Sequence, residues 1–339
     1  MCTSNNKQKS DNLRQSGIEL LRIVAMLMVM VLHTGYASFG YPRTVWLQAE
    51  PLRWLGLTMT EVYTVACVNI FVLITGWFGT TFRTKGAVRL AIQPVYVTIV
   101  LALYVWLAGL PQPAGVMDYV RPIWNYWFVC SYLVLYLLTP MLNAFVEKSD
   151  EAALRRFLLV FYVITVPCSF VFADLQKGYS AVSFVGLYLL GRYLRLYGAA
   201  RLQHWPRWRF MALYVVLMGT MGLVGWGAGM MSQTFMGAFV PFVVAYTNPI
   251  TIVAAGAMLL FFSRVRLQSR LVNWLASGSF AAYLVHQNIL VRKEYYAYIR
   301  HLADIIPSTP LFMLAVLASI IAIYVVSTLA IQVVIKIVK

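Results

Sequence analysis

Charged residues are scarce, at 11% of 339, whereas 61% are hydrophobic and the mean hydropathy is +0.74. A soluble domain typically carries about 25% charged residues, so a soluble globule is excluded and a polytopic helical membrane protein is expected. Cysteine is also scarce: Cys2, Cys67, Cys130 and Cys168. The last three lie in apolar runs, and no two are spaced as Cys-x-x-Cys, which argues against a disulfide framework or a zinc site. No metal site is expected. There is no Gly-x-Ser-x-Gly stretch, which disfavours a Ser-His-Asp mechanism on a nucleophile elbow. No hydrophilic stretch is long enough for a separate soluble domain, and neither an internal repeat nor a low-complexity segment stands out. The polar start precedes an apolar run without a small-residue cleavage pattern, so the first span is expected to remain as an anchor. Cys2 is not read as a lipidation site.

Long apolar runs dominate instead. Hydropathy places about ten spans of about twenty residues, the length a bilayer core requires. They lie near 17–37, 59–80, 88–109, 124–146, 156–173, 180–197, 209–230, 236–262, 274–292 and 311–335. The expected fold is an all-α polytopic membrane protein of about ten transmembrane helices. A tail over 1–16 precedes one transmembrane domain over 17–335, and a short tail covers 336–339. With both termini in the cytoplasm, 20 of the 27 Lys and Arg fall inside and 7 outside. That bias fits the positive-inside rule. It also accounts for most of the +16 net charge without nucleic acid, for which no recognition module is visible. The expected location is the inner (cytoplasmic) membrane, multi-pass.

Two polar residues stand out in the first span. Arg22 and His33 are eleven positions apart, which on a helix is three turns plus about 20°, so both occupy one face. They are separated by roughly 16 Å along the axis and cannot touch. Such residues in a membrane helix are costly and usually functional. A plainer reading has Arg22 snorkelling to the interface and pairing with Glu19 three residues earlier.

The segment Glu19-Leu20-Leu21-Arg22, followed by His33, resembles the first-helix signature of the acyltransferase-3 family of integral membrane acyltransferases. The second span ends Asn69-Ile-Phe71-Val-Leu-Ile-Thr75-Gly76, similar to that family's Phe-x-x-x-Ser-Gly segment. The fourth carries Trp127, Tyr132, Tyr136 and Pro140 at the family's spacing. The ninth contains Tyr283-Leu284-Val285-His286, similar to Tyr-Leu-x-His. The match runs in order along nearly the whole chain. It departs at Tyr132, where many members have glutamate, and at Asn125, where many have histidine. Arg89 fits the second position of the family's Arg-x-x-Arg, but Gly86 occupies the first, with Arg83 and Lys85 nearby. These differences resemble the branch of common-antigen O-acetyltransferases.

The resemblance implies transfer of an acyl group, usually acetyl from acetyl-CoA, to a hydroxyl of a cell-envelope glycan or lipid-linked saccharide. No tightly bound cofactor is implied; acyl-CoA is a donor substrate, and membrane lipid, coenzyme A and the glycan are the partners. Arg22 would hold the phosphate end or arm of the donor, since its planar, permanently charged fork suits phosphate. Glu19 accompanies it. His33 would meet the thioester, either as general base or as an acyl-histidine relay. Arg83, Lys85 and Arg89 form a cationic turn suited to phosphates, or simply carry topogenic charge. His286 and Asn288, with Trp127, Asn125 and Tyr132, are candidates for acceptor binding. His286 and Asn288 could equally serve as interhelical hydrogen-bonding groups. A through-membrane route would have a basic inner mouth and an aromatic, neutral outer mouth. The alternative function is a transporter or flippase, which intramembrane charges and helices broken at Pro94, Pro140, Pro167, Pro241 and Pro249 would also suit.

Overall fold

A computed structural model describes residues 15–110, 115, 117, 126–171, 177–306 and 308–337, with side chains to residue 333. Asn125, residues 1–14 of the expected N-terminal tail and residues 338–339 of the C-terminal one lie outside the described residues. The helices of seven residues or more are α1 (Ser16–Leu32), α2 (Pro51–Thr64), α3 (Cys67–Phe78), α4 (Thr84–Leu107), α5 (Trp127–Lys148), α6 (Glu151–Val171), α7 (Ala181–Tyr193), α8 (Arg207–Met231), α9 (Gln233–Val243), α10 (Pro249–Ser263), α11 (Arg270–Ala276), α12 (Ser279–His286), α13 (Ile289–Ile305) and α14 (Thr309–Ile337). Among the described residues, seven helical stretches are long and apolar enough to cross a membrane. They are 16–39, 51–78, 84–107, 127–148, 151–171, 207–231 and 309–333.

Of the expected spans near 180–197, 236–262 and 274–292, the first is continuous helix of mixed α and π type and the other two are broken. The first is α7 running into a π-helical turn, Leu194–Gly198. The second splits into α9 and α10, because Asn248 caps Ile250 N–H at 2.9 Å and Pro249 takes the first helical position, where its missing N–H does no harm. The third is α11, α12 and the start of α13, divided after Ala276 and at Gln287–Asn288. Four of the five prolines expected to break helices do not: α4, α5, α6 and α9 run through Pro94, Pro140, Pro167 and Pro241.

Burial separates interior from periphery. The apolar window of 51–78 is 72% buried and that of 16–39 is 56%, against 17% for α6. The first two are therefore interior helices, and α6 presents most of its surface outward. α3 packs on α1, α7 and α10, and α1 packs in turn on α2, α10, α11 and α12. Lipid tails are as apolar as leucine, so helices in a membrane associate by close packing at small residues. Here α3 and α7 meet at Gly76 and Gly191: a carbon added to Gly76 would lie 2.1 Å from the Tyr188 carbonyl oxygen, and one added to Gly191 would lie 2.5 Å from that of Leu73. Gly79 (φ 58°) then ends α3, with Gly79 N–H bonded to Gly76 O at 2.9 Å and Thr80 N–H to Thr75 O at 3.3 Å, a left-handed cap that glycine adopts freely.

The two ends of the bundle are defined by hydrogen bonds. At one end Ser16 Oγ–H donates to Asn273 Oδ1 at 3.0 Å and accepts from Ser269 N–H at 3.1 Å, while Arg264 donates to the carbonyls of Leu202 and Trp205. At the other, Thr44 Oγ–H reaches Gly229 O at 2.8 Å, and Arg300 reaches Ser38 O at 3.2 Å. α1 runs from the first end to the second.

Candidate active site

Arg22 and His33 line one cavity of about 820 Å³, with Arg89, Trp127 and Tyr132. The helical register fixes the first two: both project from the same face of α1. Arg22 pairs with Glu19, as the plainer reading expects, and is also part of the cavity lining. Its guanidinium binds the Glu19 carboxylate at 2.7 Å. Glu19 is buried, in the first turn of α1, where the helix dipole favours a negative charge.

At the Ser16 end the lining includes Arg22, Arg89, Arg270, Asn273 and Gln332. Arg89 Nε is buried and has no hydrogen-bond partner. Arg83 and Lys85 separate from Arg89: both are exposed at the start of α4 and do not line the cavity. The Arg83 backbone N–H donates to Tyr136 Oη at 3.0 Å. That contact gives a physical reason for Gly86, since a carbon there would meet the same hydroxyl at 2.4 Å.

At the other end His33 terminates α1. Its Nδ1 lies 2.7 Å from Val29 O, one turn back. The chain then turns through Thr34, whose hydroxyl donates to Val31 O at 2.7 Å, and Ser38 Oγ–H donates to His33 O at 2.8 Å. Glu61, buried on α2, accepts the Tyr36 N–H at 3.4 Å and pins this turn.

The remaining wall is aromatic. Trp127 lies 4.5 Å from Tyr179 and 5.6 Å from Tyr246, and those two tyrosines are 4.6 Å apart, ring centroid to ring centroid. Tyr179 and Tyr246 come from segments between helices. They are joined where Lys177 O accepts Tyr246 N–H at 2.9 Å, while Asn69 Nδ2–H donates to Tyr246 O at 2.9 Å. Tyr132 holds Thr75 by a 3.1 Å hydroxyl contact. Arg292 also lines the cavity, with Gln287 and Tyr126, so the lining away from Arg22 and Arg89 carries a charge beside its aromatic rings.

Two expected acceptor contacts sit behind the wall. His286 is buried, with Nδ1 2.7 Å from Ala282 O and Nε2 3.3 Å from His33 Nδ1. Asn288 is fully buried, its amide donating to Thr98 Oγ1 at 3.1 Å and to Tyr126 Oη at 2.9 Å, while its carbonyl oxygen caps Leu290 N–H at 3.1 Å. Its polar atoms are thus engaged by protein, and it latches α4 to the start of α13.

Sequence reasoning did not single out Arg270, Asn273, Gln332, Tyr179 or Tyr246 for this cavity. Only Tyr246 had a local signal: Asn248-Pro249 is a helix-start pattern, and Tyr246 lies just before that break. The others depend on which way non-local helices face.

The chain matches the family model for an acyltransferase domain, Acyl_transf_3, over residues 15–329. No curated protein and no solved structure shows significant similarity to it. A match over nearly the whole chain, in a multi-pass helical bundle, carries the assignment at the level of the family and of its reaction class: the chain belongs to the acyltransferase-3 family of membrane acyltransferases.

Proposed function

We propose that this protein transfers an acyl group, acetyl by family resemblance, from acyl-CoA to a hydroxyl of a cell-envelope glycan or lipid-linked saccharide, with His33 as general base. The observation that carries this reading is one cavity holding three arginines near one end of α1 and His33 at the other. Its volume lies within the roughly 300–1,000 Å³ usual for ligand sites. Coenzyme A is long, with phosphates at one end and a thioester at the other. Arg22, Arg89 and Arg270 supply planar, permanent cations for the phosphates. The roughly 16 Å between Arg22 and His33 separates that grip from the reacting carbonyl.

His33 Nδ1 faces a backbone carbonyl, which can only accept, so Nδ1 carries the proton and Nε2 keeps a lone pair. That nitrogen takes the proton of an acceptor hydroxyl as the oxygen attacks the thioester carbonyl. The C–S bond then breaks, and the proton passes from His33 to the leaving thiolate, giving the ester and free coenzyme A. Arg292 is a fixed charge on the same cavity, suited to the negative charge that develops on the carbonyl oxygen. The ring surfaces of Trp127, Tyr179 and Tyr246 suit the faces of a sugar. In this reading the Ser16 end faces the cytoplasm. The clustering of Arg201, Arg207, Arg264, Arg266 and Arg270 around that end supports it, and the inner membrane is the expected site.

The test is direct. Purified protein in detergent, given acetyl-CoA and a glycan preparation, should release free thiol and acetylate the glycan. A transporter would show neither, and would act only in sealed vesicles.

A further inference from the structure

His286 lies outside the cavity, yet its Nε2 is 3.3 Å from His33 Nδ1 and the two rings are 5.2 Å apart, tilted by 58°. We infer that His286 is a positioning residue: it fixes the orientation of the His33 ring and stabilises the charge His33 acquires when it takes a proton. This rests on the reading of His33 as general base.

The tautomers follow from the two carbonyls. His33 Nδ1 is 2.7 Å from Val29 O and His286 Nδ1 is 2.7 Å from Ala282 O. Each contact is a hydrogen bond only if Nδ1 carries the hydrogen; the opposite tautomer would set a lone pair against a lone pair in both places. With both protons on Nδ1, His286 Nε2 is a lone pair aimed at the His33 Nδ1–H. That hydrogen is then shared between Val29 O and His286 Nε2, which locks the ring and leaves His33 Nε2 with its lone pair. When His33 becomes an imidazolium, its Nδ1–H becomes a stronger donor, and the contact with His286 strengthens with it. An interaction that grows toward the transition state raises kcat and leaves substrate affinity nearly unchanged. The surroundings of His286 hold it for this task. Tyr283 and Tyr295 pack edge-on at 6.1 Å each, and the ring is 2% exposed.

The experiment compares His286→Leu, which removes the acceptor, with His286→Gln, whose side-chain carbonyl can still accept from Nδ1–H. In His286→Leu, kcat should fall about 10–100-fold, as is typical when the partner orienting a functional histidine is lost. KM for acetyl-CoA and for the glycan should stay within about two-fold. His286→Gln should recover a clear part of the kcat. In a His33→Ala background, His286→Leu should cause no further loss, because the two residues act as one unit.

An activity-independent readout is the ¹⁵N spectrum of histidine-labelled protein, tractable with four histidines in the chain. Both His33 and His286 should carry hydrogen on Nδ1. Normal kcat in His286→Leu beside an inactive His33→Ala would overturn the positioning role while leaving the base reading intact. Retained turnover in His33→Ala would overturn the base reading itself. A raised glycan KM at unchanged kcat, equal kcat in the Leu and Gln variants, or a proton on Nε2 of either ring would each overturn the inference.

Discussion

The Arg22 guanidinium is held 2.7 Å from the Glu19 carboxylate, one turn earlier on α1. The pair gives the arginine a fixed orientation and leaves its remaining donors for an anion. Arg22→Ala should weaken coenzyme A binding by about 1.5–3 kcal/mol, on the order of 10- to 100-fold in Kd, the usual worth of a hydrogen bond to a charged group. Glu19→Ala should weaken it less, because the charge stays and only its orientation is lost. Titration calorimetry with coenzyme A checks the order; equal losses in the two variants would contradict it.

Arg89 should behave differently from its neighbours. Arg89→Ala should raise the donor KM more than it lowers kcat, since a phosphate grip acts in ground and transition states alike. Arg83→Ala and Lys85→Ala should change the donor KM by less than about two-fold, as exposed charges outside the cavity contribute little. Steady-state kinetics at varied acetyl-CoA separates these cases. A loss in Lys85→Ala equal to that in Arg89→Ala would mean that the phosphates lie at the exposed turn.

Gly86→Arg would restore the family's arginine pair on paper. In this fold the added side chain collides with the Tyr136 hydroxyl and frees the Arg83 N–H that it binds. We expect lower thermal stability and no gain in coenzyme A affinity. Tighter binding at unchanged melting temperature would show that the turn has room to rearrange.

The crossing of α3 and α7 should be intolerant of side chains. Gly76→Val should lower stability by about 1–3 kcal/mol, the usual range for overpacking. Gly56→Ala, where nothing lies within 4 Å of an added carbon, serves as the control and should melt at or slightly above the wild-type temperature, since alanine favours the helix. Thermal unfolding in detergent compares them, and equal midpoints for Gly76→Val and the wild type would contradict the crossing.

What the sequence could reveal was whatever depends on a fixed period. Arg22 and His33 share a cavity because a helix sets their angular offset whatever surrounds it. The long apolar helices were legible for the same reason that hydropathy works at all: backbone in a bilayer must bond within its own segment. Helix breaks were legible only at Asn248-Pro249, whose cap-and-proline pattern is local; elsewhere a hydropathy window of about 19 residues averages over them, and 274–292 reads as one span although it divides after Ala276 and at Gln287–Asn288. Arg83, Lys85 and Arg89 were grouped as one cationic turn, with Arg89 set apart by its place in the motif, but only the rotation of α4, set by tertiary packing, turns Arg89 inward and leaves the other two exposed. Tyr179 and Tyr246 meet through a hydrogen bond between residues 177 and 246, which no local pattern encodes.

As general base, His33 takes the proton of the hydroxyl that attacks the thioester. The most direct test of that role is acetyl-CoA-dependent thiol release and glycan acetylation by purified protein in detergent, comparing wild type with His33→Ala at equal abundance and equal coenzyme A affinity. Turnover is expected in the wild type, with a loss of about 10²–10⁴-fold in the variant. Near-normal acetylation by His33→Ala would contradict that role.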